Sequence, residues 1–197
     1  MIADRSSLKS LRPETERWTY QRYRRETAEC EHFEVIEGIR TMAPSPSRFH
    51  QYALTKLASQ LEAFVTRENL GTVLVAPFDV YFSEDEFVQP DILFVAKDHS
   101  ERLTDHGVRG APNLVIEIVS HGSTRMDRIT KRNLYAKHGV PEYWIISPNE
   151  QTIEVLTLQN RKYETAGFYE EDDSITSPAL AGFSCVVRDI FVKEDES

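Results

Sequence analysis

The sequence contains very few cysteines. Cys30 and Cys185 are the only two among 197 residues, and they lie far apart and outside any C-x-x-C spacing. Disulfide frameworks and structural zinc sites both need several cysteines at short, regular spacings. The pattern therefore argues against both kinds of site, and we interpret the two cysteines as inert packing residues.

Long apolar runs are also missing. No stretch approaches the roughly 20 apolar residues that a bilayer-spanning helix requires. The first residues, "MIADRSSLKSLRPETERW", lack the apolar core of a signal peptide. We therefore expect a cytoplasmic protein with no membrane partner. A length of 197 residues with 40% hydrophobic content fits one globular domain with a real core.

The chain has no overall excess of positive charge. Its formal net charge is -9, which argues against a general nucleic-acid coat protein, because neutralising phosphates requires clustered lysines and arginines. The charge is unevenly distributed, however. Residues 164–197 hold nine acidic and two basic side chains, whereas residues 121–138 hold five basic side chains and one acidic. We predict a local basic surface around residues 121–138.

Predicted strands and helices alternate through the middle of the chain. Apolar residues at helical spacing predict an amphipathic helix within residues 45–69. Runs rich in β-branched and aromatic residues predict strands at 72–82, 88–96, 113–120, 141–147 and 152–158. We also expect a short helix over 15–28, two short strands around Glu37-Gly38, and a helix over 123–138. This alternation indicates the α/β class.

One predicted strand contains an unexpected charge. In "NLVIEIVS", residues 113–120, apolar side chains occupy both alternating positions around Glu117, which is typical of a strand covered on both faces. A charge buried there costs several kcal/mol unless it is paired, hydrogen-bonded or bound to a metal. Glu117 is therefore either one half of a buried salt bridge or a ligand in a functional site.

A second carboxylate occupies a comparable position. Asp91 directly follows Pro90, at the start of the apolar run "DILFVA". If the two strands are neighbours, Asp91 and Glu117 reach the same edge of the sheet. Two carboxylates are what Mg²⁺ typically takes from a protein, because waters and substrate phosphates complete its octahedron. Together with a strand carbonyl, the two side chains could hold one metal ion.

Lys131 is the third candidate. In the predicted helix over 123–138 it shares a face with Leu134 and Tyr135, which must meet the sheet. One interpretation is an ordinary helix pair with Asp127, worth about 0.3 kcal/mol. The other is a cation beside a metal-bound water and a phosphate.

Other polar and aromatic residues in these elements are assigned to packing. His50 extends the apolar stripe of its helix and is interpreted as a hydrogen-bonded core histidine. Tyr135, Tyr143 and Trp144 are assigned to the core. Asp79 has two interpretations, as support for the site or as a strand-end charge.

The order Pro90-Asp91, Glu117, Lys131 resembles the PD-(D/E)XK nuclease superfamily. In that superfamily the lysine usually lies two residues after the acid, where this chain has Val119. The chain instead resembles the restriction endonuclease family called Uma-two, whose lysine lies on the next helix. The similarity covers about residues 30 to 192 through "FEVIEG", "MAPSPSRFHQ", "FDVYF", "QPDILFV", "PNLVIEIVS", "DRITKRNLYAKHGVPEYWIISP" and "LAGFSCVVRDIF".

Three positions depart from the family pattern. His121 stands where proline is usual, Glu37 where aspartate is common, and Ser147 where aspartate often precedes Pro148. None of these changes removes a proposed metal ligand. His121 lies in the loop beside the expected site, and its effect there is open.

The resemblance implies a restriction-endonuclease-like fold, with a central mixed β-sheet flanked by helices. Residues 31–192 form the nuclease domain in this interpretation. Residues 1–30 form an N-terminal helical arm, and 193–197 form a disordered tail.

The resemblance also implies an activity and a set of residues. The expected enzyme is a metal-dependent endodeoxyribonuclease that binds DNA as substrate and acts as a homodimer. Asp91 and Glu117, with the Ile118 carbonyl, hold Mg²⁺ or Mn²⁺, while Lys131 assists the attacking water and Glu34 adds a carboxylate. Arg125, Arg128 and Arg132 are candidates for contacts to the DNA backbone.

A non-enzymatic alternative stays open. The net charge of -9 and the lack of an obvious DNA-reading module suit a catalytically silent protein that keeps the nuclease fold for binding or assembly. A metal-independent hydrolase is poorly supported, because "SHGST" has no recognisable base or oxyanion partner.

Overall fold

The computed structural model describes residues 17–27, 32–42, 45–120 and 126–191, and its framework is built from β-sheet. The strands are β1 (Glu34–Ile36), β2 (Ile39–Thr41), β3 (Gly71–Val75), β4 (Asp79–Ser83), β5 (Glu86–Val88), β6 (Ile92–Ala96), β7 (Leu103–Thr104), β8 (Gly107–Arg109), β9 (Leu114–Ile118), β10 (Glu142–Ser147), β11 (Thr152–Gln159), β12 (Lys162–Glu170), β13 (Ser174–Thr176) and β14 (Ser184–Val186). The helices are α1 (Tyr20–Glu26), α2 (Arg48–Glu68) and α3 (Arg132–His138), with a π-helical turn at Met126–Lys131 and 3₁₀ turns at Lys97–Arg102 and Val187–Asp189. In these ranges no helix combines the length and the apolar content of a membrane span.

Two six-stranded mixed sheets and one two-stranded sheet make up this framework. The central sheet has the order β12-β11-β10-β9-β6-β3, and the second sheet has the order β2-β1-β5-β4-β8-β7. In the central sheet β9 and β10 are parallel, whereas the four other neighbouring pairs are antiparallel. The predicted α/β class with a central mixed sheet and flanking helices is confirmed. The second large sheet was not predicted.

The long helix α2 covers one face of the central sheet. It begins after Ser47, whose side chain accepts a hydrogen bond from the backbone N–H of His50, and it ends at Asn69 in the left-handed conformation. Its buried residues are spaced to form one apolar stripe. They are Ala53, Leu57, Leu61, Phe64 and Val65.

Strand β9 is covered on both faces, as its sequence predicts. Leu114, Ile116 and Ile118 belong to the core cluster that contains the apolar stripe of α2. Val115 and Val119 belong to a second cluster on the opposite face, with residues of α3 and of the second sheet. Glu117 has the same alternation as those two valines and therefore faces the second cluster.

The helix predicted over 123–138 differs in its first half. Residues 123–125 lie outside the described residues, and the following segment is the π-helical turn, which leads into α3. Such turns are wider than an α-helix and occur frequently at functional sites. Here the turn carries two buried charged side chains, Asp127 and Lys131. The helix ends at Gly139, whose φ of 78° is typical of a glycine helix stop.

Proline divides two of the predicted strands. The run 72–82 forms β3 in the central sheet and β4 in the second sheet, separated by a turn at Ala76-Pro77. The run 88–96 divides similarly, with Val88 ending β5 and Ile92 beginning β6 on either side of Pro90. Proline has no N–H to donate to a sheet ladder, which explains both interruptions.

The N-terminal helix is shorter than the predicted 15–28. Helix α1 begins after Thr19, whose hydroxyl accepts a hydrogen bond from the backbone N–H of Arg22. It packs through an aromatic cluster onto the second sheet, and the buried members are Trp18, Tyr23, Phe33, Val35 and Phe87. Residues 1–16 and 28–31 lie outside the described residues, as does the predicted tail 193–197. The division into arm, domain and tail stays a prediction.

Candidate active site

A cavity of about 670 Å³ lies where the central sheet meets the second sheet and α2. Its ionisable lining comes from five different segments of the chain. Glu34, Asp91, Glu117, Asp127, Lys131 and His50 are among the lining residues. The cavity thus gathers the predicted carboxylates and the predicted lysine in one place.

The strand register brings Asp91 to Glu117. Asp91 directly precedes β6, which pairs antiparallel with β9 so that Ile92 lies opposite Ile116. The backbone N–H of Ile118 donates a hydrogen bond of 2.7 Å to Asp91 Oδ2. This bond fixes the aspartate beside the strand that carries the glutamate.

Lys131 lies between carboxylates on two sheets. Its Nζ is 2.9 Å from Glu117 Oε1 and 2.8 Å from Glu34 Oε1. Asp127 Oδ1, the helix partner considered from the sequence, is 3.8 Å away. The lysine points inward as predicted, and its closest ion pairs are with the strands rather than with its own helix.

Glu34 joins the site from the second sheet. It begins β1, and its Oε1 also accepts a hydrogen bond of 2.9 Å from the backbone N–H of Gln89. The Gln89 side chain in turn donates to Asp79 Oδ1 at 2.7 Å. Asp79 is buried at the start of β4 and is bonded to the residue whose backbone holds Glu34, so both of its interpretations stay predictions.

Tyr135 contacts the site in a way that the sequence interpretation missed. It is buried as expected, and its hydroxyl donates a hydrogen bond of 2.5 Å to Glu117 Oε1. Its spacing of four residues from Lys131, on the same helix face, was the available signal. A tyrosine assigned to the core thus also orients the central carboxylate.

His50 is the second contact that was missed. Its Nε2 lies 3.1 Å from Asp91 Oδ1, and 12% of its side chain is exposed on the cavity wall. The histidine is hydrogen-bonded as expected but is not a core residue, because α2 begins at the mouth of the cavity. Together with the Ile118 N–H, it engages both carboxylate oxygens of Asp91.

The cavity holds more negative than positive charge. Burial raises the pKa of the Glu117 carboxyl well above its ordinary value; the Lys131 ammonium opposes this shift, and Asp127, Asp91 and Glu34 add to it. Burial also disfavours the Lys131 cation, but Glu117, Glu34 and Asp127 outweigh that effect and hold its pKa well above the ordinary value. The lysine is charged and is surrounded by an excess of acids.

This set of donors suits a hard divalent cation. Carboxylate and carbonyl oxygens are the ligands of Mg²⁺ and Mn²⁺, and Mg²⁺ needs only one or two carboxylates when waters and phosphates complete its shell. In the described part of the chain, no three His, Cys, Asp or Glu side chains form a ready-made metal cage. Asp91, Glu117 and the Ile118 carbonyl fit the open kind of site, and the excess of acids favours a cation there.

Comparison with protein families identifies the chain. The model of the Uma2 family, described as "Putative restriction endonuclease", matches residues 16–188. The chain belongs to the Uma2 family. The resemblance inferred from the motifs is confirmed, and with it a place among restriction-endonuclease-like nucleases, whose substrates are nucleic acids.

Solved structures support the fold of this Uma2 member. It is similar to the crystal structure of "a putative nuclease belonging to DUF820 from Anabaena variabilis ATCC 29413", with a TM-score of 0.73 and 22% sequence identity. The match covers 88% of this chain and 97% of the other. No curated protein matches the chain in sequence.

The lysine of this Uma2 chain comes from the helix segment after the strand. Val119, at the usual lysine position of the wider superfamily, is buried in the second core cluster. Lys131 reaches Glu117 from the π-helical turn, 14 residues further along the chain. A charged group thus reaches the carboxylate although the strand itself has no lysine.

The arginines expected at the DNA backbone have internal partners. Arg128 lies 3.2 Å from Glu154 Oε2 and donates to Ser147 Oγ at 3.1 Å. Arg132 donates to the Tyr163 carbonyl at 3.0 Å. Neither of these two arginines lines the cavity. Arg125 and His121 lie outside the described residues.

Proposed function

We propose that this chain is a metal-dependent endodeoxyribonuclease that hydrolyses phosphodiester bonds of DNA. One observation carries the proposal: Lys131 Nζ lies within hydrogen-bonding distance of both Glu117 and Glu34, in a cavity that Asp91 also lines. A buried cation among several acids is the arrangement that phosphate hydrolysis needs, because both charge and water must be positioned.

Asp91 and Glu117, with the Ile118 carbonyl, are the proposed ligands of Mg²⁺ or Mn²⁺. A divalent ion bound there supplies Lewis acidity toward water and phosphate oxygens. The chain positions the ligands in advance. The Ile118 N–H and His50 hold Asp91, and the Tyr135 hydroxyl holds Glu117.

Lys131 is the proposed electrostatic catalyst. Glu34 and Glu117 fix its ammonium, so the positive charge is in place before substrate arrives. In the reaction, the oxygen of a water bonds to phosphorus while the bond from phosphorus to the 3′ oxygen breaks. The water gives up one proton and the departing 3′ oxygen takes up one, so the products are a 5′-phosphate and a 3′-hydroxyl. Lys131 orients the water or stabilises the charge that develops on the phosphate.

The proposal extends to binding of the substrate. Arg125, Arg128 and Arg132 are proposed contacts to the DNA backbone, with Arg128 shared between phosphate and Glu154. A homodimer is proposed because cutting both strands of a duplex requires two sites.

Nicking of supercoiled plasmid tests the function. Wild-type protein with Mg²⁺ or Mn²⁺ is expected to nick the plasmid, a chelator to stop the reaction, and Glu117→Gln to abolish it. Glu142→Gln, which alters another buried carboxylate outside the cavity lining, serves as the matched control and is expected to stay active. Equal inactivity of wild type and Glu117→Gln, over several DNA substrates and both metals, would reject the proposal.

A second function has one observation in its favour. Lys131 already neutralises part of the acidic cluster, as a purely structural buried ion pair would. In that case the chain keeps the nuclease fold for binding or assembly without catalysis. Metal binding separates the two functions, because a purely structural cluster has no need of a divalent ion.

A further inference from the structure

The first turns of α2 carry cations and aromatic rings on their outer side. The guanidinium carbon of Arg48 lies 4.8 Å from the centre of the Phe49 ring, and Lys56 Nζ lies 5.3 Å from the centre of the Tyr52 ring. Phe49 is 40% exposed. We call these four residues the α2 surface. Cations beside aromatic rings are the composition of surfaces that bind single-stranded nucleic acid.

The α2 surface meets the cavity lining at Arg48. His50, Gln51 and Leu54 of the same helix line the cavity. Arg48 lies three residues before Gln51, and residues three or four apart are neighbours on a helix. By the same rule, Tyr52 is a surface neighbour of Arg48, and Lys56 is a surface neighbour of Tyr52. These three residues therefore form a row that leads away from the cavity wall along the outside of the helix.

The two cations of the α2 surface are available for a ligand. Among the described residues neither Arg48 nor Lys56 forms an ion pair with a carboxylate. By contrast, Arg67 on the last turn of the same helix lies 2.9 Å from Glu68 Oε1. Arg128 and Arg132, the basic residues expected from the sequence, are held by partners within the fold. The α2 surface is thus a free basic region beside the cavity.

We propose that the α2 surface binds single-stranded DNA and leads it into the cavity. The inference rests on the proposed nuclease function and names its substrate class. Phe49 and Tyr52 can stack on bases only where those bases are unpaired, while Arg48 and Lys56 contact the phosphates between them.

The depth of the cavity favours the same substrate. Glu117 and Lys131 are only 4% and 5% exposed, so a phosphate must enter the cavity to reach them. An unpaired strand bends at its backbone and can present one phosphate inside. A paired strand is stiffened by its complement and bends less readily. The depth of the site therefore favours a single strand or a locally unpaired part of a larger DNA.

Binding is measured in the Glu117→Gln background, so that cleavage does not interfere. The probe is a fluorescein-labelled oligodeoxynucleotide, single-stranded or annealed to its complement, followed by fluorescence anisotropy. We expect tighter binding of the single strand. Phe49→Ala is expected to weaken it about 5- to 100-fold, the effect of losing one stacking platform. The double variant Arg48→Ala, Lys56→Ala is expected to weaken it and to flatten its salt dependence.

Arg67→Ala is the matched control. Arg67 also lies over an aromatic ring on α2, at 5.3 Å from the centre of Phe64, but at the end of the helix away from the cavity. It is expected to leave binding unchanged. Melting temperatures of all the variants show that the fold is retained.

Three results would overturn the inference. They are unchanged binding in the Phe49 and Arg48, Lys56 variants, preferential binding of the duplex, and preferential binding of RNA of the same sequence. The outcome is separable from that of the nuclease proposal. If wild type nicks DNA but the Phe49 and Arg48, Lys56 variants bind normally, the DNA-binding role of the α2 surface is rejected and the nuclease proposal stands. If these variants lose binding but wild type is inert, the surface stands and the nuclease proposal fails.

Discussion

Glu117 and Glu142 are both buried carboxylates on the neighbouring parallel strands β9 and β10, yet their surroundings differ. Glu117 is 4% exposed and Glu142 is 1% exposed. Glu142 accepts hydrogen bonds from neutral donors alone, namely Trp144 Nε1 at 2.5 Å, Ser177 Oγ at 2.8 Å and the Ala179 N–H at 2.5 Å. Glu117 instead faces a lysine, a tyrosine and other acids, and it lines the cavity.

The comparison shows that burial of a charge is a poor indicator of function. Burial raises the pKa of both carboxyls. At Glu142 the hydrogen bonds of Ser177, Trp144 and Ala179 counter the shift, so the group is satisfied within the fold. At Glu117 the neighbouring acids raise the pKa further, so the site favours the binding of a further cation. The partners of a buried carboxylate, rather than its burial, distinguish a structural role from a chemical one.

The largest expected effect is on activity at Glu117. Glu117→Gln is expected to lower plasmid nicking by at least about 10³-fold, because it removes a proposed metal ligand and one charge beside Lys131. Its melting temperature is expected to stay close to that of wild type. Glu142→Gln is expected to do the opposite, losing stability but retaining activity below its melting temperature. Equal loss of activity in both variants would erase the distinction between them.

Removing the cation is expected to have the largest effect on stability. Lys131→Met leaves Glu34 and Glu117 buried without their shared partner, at a cost of about 3–5 kcal/mol in the free energy of unfolding. Urea denaturation measures this loss. The control is Lys137→Met, since Lys137 is exposed and its buried partner Glu86 keeps His138 as a second partner; the loss is expected to be smaller than in Lys131→Met. Similar losses in the two variants would contradict a buried, stabilising cation.

Glu142→Gln is expected to cost about 1–3 kcal/mol in the free energy of unfolding. The glutamine keeps one oxygen but turns an N–H₂ toward a group that donated to the carboxylate, which leaves a buried donor without an acceptor. Urea denaturation measures the loss. A variant as stable as wild type would show that these hydrogen bonds do not hold the 177–180 segment to β10.

Tyr135→Phe is expected to have a smaller effect. The substitution removes one hydrogen bond to Glu117 and costs about 1 kcal/mol of stability. Tyr163→Phe is the matched control, because its buried hydroxyl donates to the Val140 carbonyl outside the site. Both variants are expected to lose similar stability, but only Tyr135→Phe is expected to slow nicking. Equal nicking rates in the two variants would show that the Tyr135 hydroxyl does not position Glu117 for the reaction.

The smallest expected effect is a pH dependence at Glu142. Because its pKa in the folded protein lies above the ordinary 4.5, the folded state holds this proton more tightly than the unfolded chain does. The resulting stability is present below the unfolded pKa and is lost as the pH rises through the folded pKa. The free energy of unfolding of wild type relative to Glu142→Gln is therefore expected to fall from acidic to neutral buffer. A constant difference would contradict the raised pKa.

The sequence predicts the site better than it predicts the sheets. The two-faced pattern of β9 and the stripe of α2 are local signals, and they locate Glu117 and the helix beside it. The convergence of Asp91, Glu117 and Lys131 was also predictable. The start of β6, the end of β9 and the helical segment after β9 lie at the same edge of the central sheet. The contacts of His50 and Tyr135 were missed, since an apolar stripe does not reveal which of its residues borders a cavity.

The second sheet and β12 were not predicted, for physical reasons. Its strands β1, β2 and β4 lie in segments predicted as strands, but the strands of this sheet have only two to five residues, too few for the sequence to show that they pair in a sheet of their own. Strand β12 lies at an edge and exposes most of its side chains, so it lacks an apolar pattern. Pairing with β11 determines its structure, and that pairing is a tertiary contact.

Calorimetric titration with Mn²⁺ tests the central claim most directly. The account predicts that wild type and Glu142→Gln bind the ion with similar affinity, whereas Asp91→Asn and Glu117→Gln lose that binding. It would be contradicted by a wild-type protein that binds no Mn²⁺, or by equal binding in all four proteins. Either result would leave Lys131, Glu34 and Glu117 as a structural ion cluster.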